Sequence, residues 1–394
     1  MLLNIMAPLG NMKFTKQNME FLELLANYGV DAITTDIWWN HVEYVKGTYD
    51  WRGAKAWLRA LKKAGLRWTP ILSFHTCGHN VNDDHKIGLP KYVQREFTFF
   101  RNDEGRVLRD YVSFWNTDVY KRYEAFIQSF YDTFVDDFEH ISKVYISMGP
   151  AGELRYPSYS SLLGWKYPEP GSLTCYGKDA RRSFRKYIEH KYISLRALNI
   201  EWDTHYTEWD KINPPEDGEA FFTQYQYTSV YGRDVLDWYE GQLHRHFIQM
   251  ATICRRIFKQ TVRLGVKLSG VHWKYHSGRL AEKAAGYVDE TYVALIRQIH
   301  QFDFDLTITC LEMQNNKESG IDCILDSIRI ACDMYDVDMY GENALPVYSE
   351  HNDVEWENIA RNINKLNIKA FTFLRWDVVF NNNNILQKMN QIIF

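Results

Sequence analysis

The chain has 394 residues, 45% of them apolar, which is enough for one large domain or two ordinary ones. A net charge of −4 and a pI near 6.4 leave no basic surface to recruit DNA, RNA or an anionic membrane. No stretch approaches the ~20 apolar residues of a bilayer span. The apolar opening MLLNIMAPLG has no basic segment and runs straight into a strand pattern, so it is not read as a signal peptide.

In chain order, short β-type runs alternate with helical ones. LLNIMAPL (2–9) is followed by TKQNMEFLELLANYG (15–29), which has Thr15 as N-cap and closes on Gly29. DAITTDIWW (31–39) leads to DWRGAKAWLRALKKAG (50–65), whose Trp51, Ala54, Trp57, Leu58, Leu61 and Ala64 share one face. RWTPILSFH (67–75) and the helix pattern 120–134 come next. KVYISMGP (143–150) precedes helix patterns at 179–192 and 235–259. RLGVKLSG (263–270), DLTITCLE (305–312), VDMYGENAL (337–345) and KAFTFLR (369–375) complete the strands, with helix patterns at 321–335, 354–367 and 383–394.

Eight strands interleaved with helices predict an α/β protein, a (β/α)8 TIM barrel with long βα-loop insertions at 76–115, 151–178 and 193–234. The rival, an open doubly wound sheet, usually carries a Gly-rich phosphate loop. GSLTCYGKD (171–179) has the wrong spacing for one. There is no Pro/Ser/Thr linker and no shift in composition, so residues 1–394 are read as a single domain with no appended module.

A barrel enzyme builds its site at the C-terminal ends of its strands. Every strand end but the first delivers polar side chains there: Asp36 with Trp38 and Trp39, His75, Glu153 with Arg155, Lys267 with His272 and Trp273, Thr309 with Glu312, Glu342 with Asn343, and Arg375 with Trp376 and Asp377. Several carboxylates among aromatics suit glycoside hydrolysis, in which two carboxyls flank the scissile bond. The aromatic count, 13 Trp, 26 Tyr and 22 Phe, adds weakly to this, because flat rings stack on sugars. HTCGHNVNDDH (75–85) offers metal-type ligands, but an Asn-rich loop is a poor rigid cage, and there is neither HExxH nor paired Cys. It reads better as a mobile loop closing over substrate. No G-x-S-x-G supports a serine nucleophile. Six irregularly spaced cysteines read as buried thiols in a reducing cytosol.

TTDIWWNHVE (34–43), SFHTCGHNVND (73–83), GPAGELRYPSY (149–159), KLSGVHWKY (267–275), TCLEM (309–313), GENALP (341–346) and FTFLR (371–375) occur in one order along the chain. Together they resemble the beta-amylases over nearly the whole length. NPPEDGEAFF (213–222) and FNNNN (380–384) look closer to the bacterial than the plant branch. The resemblance implies an exo-acting, inverting hydrolase that releases β-maltose from the non-reducing ends of α-1,4-glucans and needs no cofactor or metal. A monomer is expected, and, with no signal peptide evident, a cytoplasmic location. By position, Glu153 is the general acid and Glu342 the general base. An inverting pair needs roughly 6.5–9.5 Å between carboxyls, against about 5–5.5 Å in a retaining enzyme. Glu153 is then expected in apolar surroundings that keep it protonated, and Glu342 ionised beside Lys267.

The resemblance also implies that Asp36, His75 and Asp83 hold the outermost glucose. Lys267 and His272 grip the leaving side, Thr309 orients the base and the leaving unit, and Asn343, Ala344 and Arg375 line the floor. Residues 78–85 would be a lid and 307–313 an inner loop. Some bacterial members brace the lid with a disulfide. Here the second position is His85, so no bridge from Cys77 is expected. Some also bind a structural calcium beside the segment that carries Glu43. The chain after it, YVKGTYDW, is shorter and lacks the acidic ligand. The alternative function is a non-catalytic glucan-binding or sensing protein on the same barrel, which retention of both carboxyls disfavours.

Overall fold

Strands buried on both faces read as continuous apolar runs, and in the computed structural model, which describes residues 1–10, 12–78 and 85–393, these runs form a closed parallel barrel. Its strands are β1 (Leu2–Met6), β2 (Ala32–Trp38), β3 (Arg67–Ser73), β4 (Val144–Ile146), β5 (Leu264–Ser269), β6 (Phe304–Thr309), β7 (Met339–Glu342) and β8 (Ala370–Phe373). Each pairs with its neighbours in sequence, and β8 closes on β1 with Leu2 opposite Ala370. The longest ladders are β2–β3, from Ala32↔Arg67 to Trp38↔Ser73, and β5–β6, from Leu264↔Phe304 to Ser269↔Thr309.

The outer ring contains α1 (Lys16–Asn27), α2 (Arg52–Ala64), α3 (Tyr120–Phe134), α4 (Lys178–Tyr192), α5 (Val230–Phe258), α6 (Val293–Gln301), α7 (Ile321–Tyr335), α8 (Asp353–Lys365) and α9 (Asn384–Ile393). Thr15 caps α1 by accepting from the Asn18 amide, and Gly65 ends α2 at φ 75°. The α6 helix lies between β5 and β6, where the sequence pattern shows none. It opens on Tyr292, at φ 57° and without a side-chain cap, so the usual start signal is missing. The first insertion holds a second unforeseen element, an antiparallel hairpin of Phe99–Arg101 with Val107–Val112.

Most of the aromatic surplus is core rather than cleft. Trp39, Phe74, Tyr123 and Phe126 pack edge-on or tilted between the barrel wall and α3, with Phe74 and Tyr123 centroids 4.5 Å apart. Tyr156 stacks on Tyr239 at 3.7 Å and fastens the loop after β4 to α5. Each such pair contributes about 0.5–1.5 kcal/mol beyond area burial.

Candidate active site

The chain leaving β4 makes a tight turn before it reaches Glu153. Ala151 and Gly152 both sit at positive φ, 56° and 81°. At Gly149 a Cβ would lie 2.4 Å from the Glu153 carbonyl oxygen and 2.6 Å from that of Arg155, so only glycine lets the backbone fold back here. The turn returns Glu153 to the barrel wall, in a parallel bridge with Lys267 of β5, where the Leu154 amide donates to the Lys267 carbonyl (2.8 Å). The Tyr287 hydroxyl donates to the Leu154 carbonyl (2.7 Å) and holds the segment from behind.

Both Glu153 oxygens are occupied: Arg155 Nε donates to Oε2 (2.7 Å) and Thr309 Oγ1 to Oε1 (2.5 Å). The apolar surroundings expected of this carboxyl are therefore replaced by a guanidinium and a hydroxyl. Thr309, assigned by resemblance to the base and the leaving unit, donates its hydroxyl to Glu153, while its backbone pairs with Glu342 in the β6–β7 ladder. Arg155 is itself laid over the Tyr159 ring, 4.0 Å from its centroid.

Glu342 is the last residue of β7 and receives Lys267 Nζ at Oε2 (2.6 Å). Burial pushes its carboxyl up. Lys267 opposes that shift, while the charges of Glu153 and Asp36 add to it. Lys267 thus joins the two carboxyls, with its backbone on the Glu153 segment and its ammonium on Glu342. Asp36 accepts from Ser73 Oγ (2.7 Å), and His75 Nδ1 meets Ser147 Oγ (2.9 Å). His272 Nδ1 meets Ser319 Oγ (2.8 Å), and burial lowers its imidazole to about 4, so it is neutral across the neutral range. Asn343 uses its amide on the backbone, donating to the Leu345 and Leu374 carbonyls and accepting from the Leu374 amide, which staples the chain after β7 to the end of β8. Arg375, half-buried at the start of the helix Trp376–Asn381, keeps a buried Nη1 with no hydrogen-bond partner among the described residues. Ala344 is half-buried beside Asn343. Asp83 lies outside the described residues, as does most of the expected lid.

Asp110 escapes sequence reasoning as a site component, and Glu312 is met there only as a strand-end residue without a role. Asp110, in the hairpin, accepts from Thr76 Oγ1 and Ser160 Oγ and so links the ends of two rim loops. Glu312 accepts the Leu345 amide (2.7 Å), and burial pushes its carboxyl up to about 7. Its position at a strand end is the only signal the sequence carries.

The residues around Glu43 do not fit calcium. Its carboxylate accepts from Trp39 Nε1, the Gly47 amide and Arg122 Nη2 (2.8, 2.7 and 3.2 Å), so a guanidinium already supplies the positive charge. Among the described residues no cluster of His, Cys, Asp or Glu is placed to hold a metal ion. Cys77 Sγ donates to the His85 carbonyl (3.3 Å), and Cys310 is fully buried with its thiol pushed well up by desolvation.

The model of glycosyl hydrolase family 14 matches residues 2–393. The chain is 35% identical over 96% of its length to a beta-amylase of Cytobacillus firmus, covering 83% of that protein. It is 36% identical over 96% of its length to a beta/alpha-amylase of Paenibacillus polymyxa, of whose length it spans 32%. A beta-amylase of Glycine max is 29% identical over 93% of the chain and 78% of its own length, so the bacterial relatives are the nearer. The crystal structure of the beta-amylase catalytic domain from Paenibacillus polymyxa superposes with a TM-score of 0.92 at 34% identity, covering 100% of this chain and 97% of that one.

Proposed function

From the premise that the chain belongs to glycosyl hydrolase family 14, we propose that it is a beta-amylase, an exo-acting hydrolase that inverts the anomeric centre and releases β-maltose from the non-reducing ends of α-1,4-glucans. The observation that carries this reading is the pair of buried carboxyls at the C-terminal ends of β4 and β7, linked through Lys267. Glu153 protonates the glycosidic oxygen. Glu342, kept available as an anion by Lys267, takes a proton from the water that attacks the opposite face of the sugar. Asp36 and His75, with Asp83, bind the outer glucose. Lys267 and neutral His272 bind the departing chain, and Arg375 offers its unused N–H to the sugar beneath. Arg155 holds Glu153 until substrate arrives. A glucan-binding protein without turnover is the weaker alternative, since neither carboxyl is substituted.

All these groups come from one chain, so a monomer suffices. The buried thiols Cys175, Cys254, Cys310 and Cys332 suit a reducing compartment such as the cytoplasm. No helix of the described residues is long and apolar enough to cross a membrane.

Incubation with soluble starch, followed from the first minute by proton NMR, tests the reading. Maltose should be the product and its β-anomer should appear first. Initial α-maltose, or a ladder of longer oligosaccharides, would overturn it.

A further inference from the structure

We propose that Asn358 and Asn362, one turn apart on α8, are positioning residues that hold the Leu311–Glu312 segment and through it set both catalytic carboxyls; the proposal rests on the functional reading above. The α8 helix buries Trp356, Ile359 and Ile363 against the barrel, and the two asparagines lie buried among them. Asparagine is a mediocre helix former, and a buried amide is costly unless it is bonded. Here both amides donate, while Asn362 Oδ1 is left buried without a partner among the described residues. Asn362 Nδ2 donates to the Leu311 carbonyl (2.9 Å) and Asn358 Nδ2 to the Glu312 carbonyl (3.1 Å). These carbonyls lie beyond Thr309, where β6 ends and the strand ladder no longer serves them. Two carbonyl acceptors also fix which way each amide faces.

The segment so held reaches the reaction at three points. Thr309 donates to the Glu153 carboxylate. The Leu311 amide donates to the Glu342 carbonyl (3.2 Å). The Glu312 carboxyl accepts the Leu345 amide (2.7 Å) and pins the turn that follows Glu342. A helix outside the barrel therefore reaches, through two amides, a short segment that touches both the acid and the base. Neither asparagine contacts the carboxyls directly, so their effect passes through residues 309–312.

The test uses Asn358→Leu and Asn362→Leu, which keep the side-chain shape and remove the donor. Each variant should lower kcat on maltoheptaose by about tenfold, the scale of one lost buried hydrogen bond, and change KM far less. In a Thr309→Val background the loss caused by Asn362→Leu should shrink, because both changes act along one path. Hydrogen exchange of the 309–313 amides should speed up in each variant, while the amides of β2 and β3 stay protected. Wild-type kcat in both variants, full additivity with Thr309→Val, or unchanged 309–313 exchange would overturn the proposal. The exchange readout is independent of turnover. If the wild-type protein failed to release maltose, the functional reading would fall and the exchange data would still decide the brace.

Discussion

Glu342 is the member of the proposed catalytic pair that burial works against, and Lys267 is what offsets it. Desolvation raises the carboxyl above its ordinary value, and the ammonium at 2.6 Å pulls it back. The base must be ionised in the free enzyme, so the acid limb of kcat/KM follows its titration. In Lys267→Met the pull is gone and the limb should move to higher pH. A pH profile of that variant with an unmoved acid limb would show that some other group sets it. His272 belongs to the same scale. Lowered to about 4, it adds no charge step between pH 5 and 8.

At the scale of elements, the loop that carries Glu43 is braced by the chain itself. Glu43 is fully buried and faces the guanidinium of Arg122, a residue of α3. A metal chelator should therefore leave the melting temperature unchanged. Arg122→Ala, which strands a buried carboxylate, should cost about 3 kcal/mol in chemical denaturation. A drop in melting temperature with chelator alone would contradict this. The strands themselves were legible in the sequence. RWTPILSFH and DAITTDIWW match β3 and β2 to within two residues, because strands sealed on both faces leave a continuous apolar run. Helix α6 was not legible: it is only nine residues long and opens on Tyr292 at positive φ, with no cap residue to mark its start. The hairpin was hidden too, inside an insertion without alternating polarity. Glu153 and Glu342 stand out through their motifs and their place at strand ends. Arg155 on Glu153 is a contact two residues apart whose geometry the turn sets, whereas Thr309 on Glu153 and the inward amides of Asn358 and Asn362 depend on contacts between distant segments, which periodicity does not encode.

Across the whole molecule, the two ends of the barrel hold charge for different purposes. At the N-terminal end, buried Lys143 pairs with Asp305 (2.7 Å), which Arg263 also grips through two nitrogens. Burial lowers the Lys143 ammonium to about 7, whereas an unfolded lysine titrates near about 10.4. Between these values the unfolded chain holds a proton that the folded chain lacks, so this group makes stability rise with pH across that window and contributes no slope below it. Lys143→Met should remove the rise. Urea unfolding at pH 7 and pH 9.5 would show it as a gap between wild type and variant that widens with pH, and a constant gap would refute it. At the C-terminal end the charges serve the proposed reaction, and the proposed division of labour between Glu153 and Glu342 is open to a direct measurement. Fluoride leaves a sugar without needing a proton, so α-maltosyl fluoride bypasses the general acid but not the general base. Glu153→Gln should lose starch hydrolysis and still convert the fluoride to β-maltose, while Glu342→Gln should lose both activities. A Glu342→Gln variant that turns over the fluoride while Glu153→Gln does not would contradict the assignment and exchange the two roles.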